Sequence, residues 1–173
     1  MSAVVSMMSQ SGLTRADSDC TAPATQRFCA FLVAGRVFAV DAARVTEVLR
    51  GQLLTPVPQA HPALRGLLNL RGRIVPAIDM RLRLGFDAAK ADASHTNIIA
   101  TVAGEYFSLM VDKIVDVIEI PVAAIEQPTA DSEDPSRDSV AAVYAAPSGL
   151  IYVLDVDQLL AGISDTGFER NMR

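Results

Sequence analysis

The sequence predicts a mostly β protein, with ten strands in two small closed or nearly closed sheets and short helices after strands and near the C-terminus. Two observations carry this. A pattern of apolar run, turn, second apolar run and Asp recurs four times, and two further extended segments carry Pro at their edges. Ten strands in one flat sheet would be unusual, which favours two smaller sheets.

Residues 27–34 lead through Gly35 to 36–40 and Asp41, and residues 66–71 lead through Gly72 to 73–78 and Asp79. The third unit is 97–103, Gly104, 105–111 and Asp112; the fourth is 140–146, the turn 147–149, 150–154 and Asp155. The runs are rich in Val, Ile, Phe and Tyr, as strands are. Each glycine stands where a tight hairpin needs a positive φ. The two extra strands are 52–58 (QLLTPVP) and 114–121 (IVDVIEIP).

The aspartates have local roles. Asp41 precedes AARVTEVL, which places Ala42, Val45 and Leu49 on one helical face, and its carboxylate is an N-cap. Asp79 precedes MRLRL and a glycine stop at Gly85. Asp155 precedes VDQLLAG with Gln158 at capping-box spacing. Asp112 is followed by an alternating run, so a turn is expected there.

Residues 1–26 read as a flexible arm, 27–162 as one domain and 163–173 as a frayed tail. Residues 126–138 form an acidic, Pro-containing loop with five acids and one Arg.

Half of the chain is apolar, and no run reaches the roughly 18 residues of a membrane span. The net charge of −5 argues against nucleic-acid binding. Cys20 and Cys29 read as reduced thiols of a cytoplasmic protein. His61 and His95 have no His or Cys partner at metal-ligand spacing, and no nucleophile, phosphate-loop or dinucleotide motif is present. Asp155 and Asp157 suggest a cation site, but capping explains them better. Asp112, Asp116 and Glu119 read as a solvated strand edge. A rival reading, a small-molecule-binding barrel or enzyme, would centre on Asp112, Asp116 and His95.

Charge is unevenly placed. Residues 44–83 hold seven Arg and two acids within an acidic chain, a pattern that suits a docking surface. Arg71, beside Gly72 at a hairpin tip, is the strongest candidate recognition residue.

The strings FAVDAARVTEVLR (38–50), TPVPQAHPALRGLLNLRGRIVPAIDMRLRLG (55–85), SLMVDKIVDVIEIP (108–121) and LIYVLDVDQLL (150–160) resemble the CheW-like chemotaxis coupling proteins. The N-L-R-G ending followed by I-V-P-A-I-D is the most specific part. The resemblance spans about residues 28–160 and implies two five-stranded β-barrel subdomains packed together. It implies a non-enzymatic adaptor without cofactor or metal, joining the cytoplasmic tip of chemoreceptors (methyl-accepting chemotaxis proteins) to the regulatory domain of a CheA-type histidine kinase. Such an adaptor is cytoplasmic, does not insert into membrane, and reaches receptor arrays through its partners. Coupling residues carried over from the family are Val45, Glu47, Gly66 and Arg71, with Asn69, Leu70 and Gly72 flanking the same turn. A CheW-like scaffold in surface motility, second-messenger or developmental control fits the same motifs.

Overall fold

The structure is a computed structural model describing residues 22–90, 93–129 and 136–163. Most of the expected arm, the centre of the acidic loop (130–135) and nearly all of the expected tail, together with Cys20, lie outside the described residues. Among the described residues there are ten strands: β1 Thr25–Val33, β2 Arg36–Asp41, β3 Val45–Arg50, β4 Leu64–Leu70, β5 Arg73–Asp79, β6 Thr96–Val102, β7 Glu105–Val111, β8 Lys113–Pro121, β9 Val140–Ala146 and β10 Gly149–Leu154. Two short helices follow strands, α1 Met80–Arg83 and α2 Val156–Leu160.

The four expected hairpins form as β1–β2, β4–β5, β6–β7 and β9–β10. Three of them turn through consecutive positive-φ residues, Ala34-Gly35, Arg71-Gly72 and Ala103-Gly104. This is the turn whose twist matches that of the flanking strands. Asp79 caps α1 by accepting from the backbone N–H of Arg81 and Leu82, and Asp155 caps α2 by accepting from Asp157 and Gln158. A bend follows β7 at Asp112, as expected.

Two local expectations fail. The segment after Asp41 is one 3-10 turn, Ala42–Arg44, and then strand β3, not a helix. Val45, Thr46 and Val48 are β-branched, poor helix formers and good strand formers. The expected helical face is split. Val45 lies opposite Ala100 and packs toward the shared core, whereas Leu49 lies opposite Asn97 and packs against the second sheet's own cluster, with a bulge at Thr46 between Val45 and Glu47. Residues 52–58 are not a strand either. Only Thr55 pairs there, with Leu67, because Pro56 and Pro58 have no N–H to give to a ladder. The total of ten strands holds because β3 takes the place of 52–58.

The strands form two five-stranded sheets, β8-β1-β2-β10-β9 and β3-β6-β7-β5-β4. Neither closes into a barrel, which corrects that expectation. In the second sheet, the Thr55–Leu67 bridge is the backbone pairing that reaches β4 from the segment after β3. In the first, the corresponding bridge joins Glu126 to Val143 of β9. One bridge on each side cannot complete a ladder.

The topology is an interlocked repeat. The β1–β2 hairpin joins β8, β9 and β10, while the β6–β7 hairpin joins β3, β4 and β5. Each sheet contains one parallel contact between halves, β2 with β10 and β5 with β7. A shared core lies between the sheets, with Phe31, Phe38, Ile78, Met80, Ile98, Leu109 and Leu159 fully buried in it. Each sheet also packs a smaller cluster on its inner face: Phe28, Ala30, Ile120 and Ile151 in the first, Leu68, Val75, Ala77 and Ile99 in the second.

Candidate functional site

The β4–β5 hairpin places most of the candidate residues together. Asn69 Oδ1 accepts from the Gly72 backbone N–H at 2.8 Å and locks the tip. Leu70 packs inward against the second sheet's own cluster. Arg71 occupies the left-handed region at φ 51°, a conformation that costs a non-glycine residue on the order of 1 kcal/mol. Its side chain is 81% exposed.

Glu47 meets Arg71 from the opposite edge of the same sheet. It lies opposite Ile99, so its side chain starts on the inner face of β3. Its carboxylate accepts from Arg71 Nη2 at 3.0 Å, and Glu47 is only 19% exposed. Since β3 and β4 are the two ends of the sheet's strand order, the sheet must curl strongly to bring them this close. An ion pair with so exposed an Arg contributes about 1 kcal/mol or less, so it marks a position more than it holds the fold.

Gly66 makes the curl possible. A Cβ there would stand 2.6 Å from the Thr55 carbonyl oxygen. Thr55 and Leu67 exchange two backbone hydrogen bonds of 2.8 Å across that contact. Gly66 is therefore a backbone-approach residue, buried beneath the segment that leads from β3 to β4.

Val45 stands apart from the other candidates. It packs partly buried against the shared core, on the face of β3 that looks toward the other sheet. Two residues not singled out in the sequence share that orientation. Val48 lies opposite Ile98, and Val117 on β8 lies opposite Cys29; both opposite residues belong to the shared core. Yet Val48 is 44% exposed and Val117 56% exposed, because β3 and β8 are edge strands. The central strands β2 and β10 are continuous apolar runs, whereas β3 (VTEVLR) and β8 (KIVDVIEIP) interleave charged residues; that charge content was a signal for edge strands, though not for these two valines in particular.

Most of the Arg-rich segment is used within the molecule. Arg44 pairs with Asp157 at 3.0 Å, Arg65 approaches Asp79 at 4.0 Å, and Arg83 donates to the carbonyls of Gln158, Leu159 and Ala161 around α2. Arg81 grips Asp112 with two bonds of 2.7 Å, and these hydrogen bonds, ahead of the Coulomb attraction, raise its already high pKa. Asp112 also accepts from the Ala34 N–H at 2.9 Å, tying the first hairpin turn to α1 and the β7–β8 bend.

These contacts occupy the residues on which a catalytic or metal reading would rest. Asp112 is held by Arg81, Asp116 accepts from the Val117 N–H, and His61 Nδ1 accepts from the Ala63 N–H. Asp155 caps α2 while Asp157 pairs with Arg44. His95 Nε2 is buried without a protein partner, but no acid converges on it among the described contacts.

Comparison with known proteins agrees with this architecture. The model of the CheW-like domain matches residues 27–164. The chain belongs to the CheW-like family. It is 32% identical over 130 residues to the chemotaxis protein CheW of Rhizobium meliloti, covering 75% of this chain and 84% of that one. It is 25% identical over 135 residues to CheW of Bacillus subtilis, with 78% and 86% covered. The crystal structure of the scaffolding protein TtCheW from Thermoanaerobacter tengcongensis superposes with a TM-score of 0.73 at 25% identity, covering 80% of this chain and 93% of that chain. In this chain, Arg71 of the Glu47–Arg71 pair sits on the N-L-R-G hairpin that carries the most specific sequence motif, and Glu47 reaches it from β3.

Proposed function

We infer that this chain is a non-enzymatic coupling adaptor of chemotaxis, the role of the CheW family to which it belongs. The match over nearly all of the described residues carries the reading. Its partners are the cytoplasmic tip of a chemoreceptor and the regulatory domain of a CheA-type kinase. The adaptor works in the cytoplasm and reaches receptor arrays through these partners. No helix among the described residues is long and apolar enough to cross a membrane.

The receptor tip packs near Val45, Glu47 and Arg71, with the exposed Val48 on the same edge strand offering apolar surface and the Glu47–Arg71 ion pair offering charge. Gly66, Asn69, Leu70 and Gly72 shape that surface from below. The kinase domain takes an apolar end of one of the sheets. Two docking surfaces on one interlocked core stand at a fixed separation. A change at the receptor then biases the kinase through contacts that differ between its states.

Reconstitution tests this. The full chain is mixed with the cognate kinase and a receptor cytoplasmic fragment, and kinase autophosphorylation is followed. Receptor control of the kinase that depends on this protein is the expected result. Binding to neither partner would remove the coupling role and leave the fold.

A further inference from the structure

We propose that Arg73 is a second recognition cation of the Glu47–Arg71 surface, held in advance by Tyr106 so that its guanidinium edge grips a carboxylate of the receptor tip. The proposal rests on the receptor reading above and adds a specificity-determining residue to it.

Elimination brings Arg73 forward. Among the seven Arg of residues 44–83, five point their nitrogens at acceptors of this chain: Arg44 at Asp157, Arg65 at Asp79, Arg71 at Glu47, Arg81 at Asp112 and Arg83 at carbonyls around α2. Arg73 is exposed and pairs with no carboxylate among the described residues. Its guanidinium carbon instead lies over the Tyr106 ring, 5.1 Å from the centroid. Arg50, at the far end of β3 opposite Thr96, has no such ring to hold it.

Topology explains the stack. Arg73 opens β5 just past the tip, opposite Leu70, and β5 runs parallel to β7, with Ala77 opposite Ser108. The start of β5 therefore lies beside the start of β7, where Tyr106 stands. Arg73, Val75 and Ala77 alternate onto the inner face of the sheet, the face against which Tyr106 and Leu70 also pack. Arg73 is two residues from Arg71 and rises from the same rim.

The chemistry follows from planarity. A guanidinium held over a ring, as Arg73 is over Tyr106, makes no hydrogen bond to it and keeps its N–H groups for a carboxylate, which it can bind with two parallel bonds. Stacking also removes rotamer freedom before binding, so less is lost when the partner arrives. Arg71 has an internal carboxylate to satisfy it and Arg73 has none among the described residues. An Asp or Glu of the partner is the ligand that completes the rim.

The test titrates the full-length protein with the receptor cytoplasmic-tip fragment and, separately, with the kinase regulatory domain. Arg73→Ala is expected to weaken receptor binding about tenfold, to lower its dependence on salt, and to leave kinase binding unchanged. Arg73→Lys keeps the charge but not the fork, and should recover only part of the affinity. Tyr106→Phe keeps the ring and should bind as wild type, while Tyr106→Leu should lose several-fold. Arg73→Ala or Arg73→Lys binding the receptor as wild type overturns the proposal and leaves the coupling role standing. Equal weakening toward both partners with a lowered melting temperature overturns it as well, since Arg73 would then be structural. A wild-type protein that binds the kinase and not the receptor removes this proposal together with the receptor surface.

Discussion

Arg71 combines high exposure with a defined partner, and the two properties make separate demands on a substitution. Arg71→Glu sets a carboxylate against Glu47 where a 3.0 Å attraction stood. It removes little packing, because the side chain is 81% exposed. The variant is expected to melt within a few degrees of wild type and to lose receptor-dependent kinase control; thermal melting and the autophosphorylation assay read the two effects. A variant that unfolds instead would make Arg71 structural. Cys29 lies at the opposite extreme. Burial among apolar neighbours pushes its thiol pKa up, so the folded protein disfavours the thiolate. The folded pKa is above the unfolded one, so the contribution of this group to stability is full below the unfolded thiol pKa and is lost as pH rises from there through the folded pKa. With Cys20 replaced by Ser, labelling of Cys29 at neutral pH is expected to keep pace with unfolding. Rapid labelling of the native protein would refute the buried placement. The identity of Arg71 as a candidate could be read from its place beside a turn glycine, whereas its pairing with Glu47 could not, because the two lie 24 residues apart and on opposite edges of one sheet.

At the scale of elements, the segment from β3 to β4 is the least regular connection around the site and the one most dependent on a single glycine. Gly66→Val would drive a branched side chain into the Thr55 carbonyl, where even a Cβ has only 2.6 Å. The conflict is with backbone, so the segment must lift away. A loss of about 2–3 kcal/mol is expected in chemical denaturation, together with loss of protection of the Thr55 and Leu67 amides in hydrogen exchange. Unchanged stability would mean that the segment is only loosely seated. Hairpins were legible because each is local: an apolar run, a glycine and another run determine their own pairing. The strand at β3 was not legible because Ala42, Val45 and Leu49 have a spacing that a helix also uses, and only pairing with β6, which sends Val45 and Leu49 to opposite faces, decides for the strand. The same dependence on a distant neighbour hid the exposure of Val48 and Val117. An edge position is a property of the sheet order, not of the strand.

For the whole molecule, the exchange of hairpins between halves has an energetic consequence. Neither sheet can form from one half alone, since each takes two strands from one and three from the other. The shared core then adds side chains from both sheets and from α2. Unfolding is expected as one cooperative transition: far-UV circular dichroism and tyrosine fluorescence should give the same midpoint, with Tyr106 reporting from the second sheet and Tyr144 and Tyr152 from the first. Two separated midpoints would show that the sheets are independent. The sequence by itself determined the strand-rich class, the four hairpins, the capping aspartates and the motif by which the chain resembles its family, because all of these are set by residues within about ten positions of one another. Tertiary structure alone decided that the sheets stay open, that the halves interlock, and that most of the Arg-rich segment serves the molecule's own fold. These depend on which strands become neighbours, and contacts across the two sheets, not local preference, choose those neighbours.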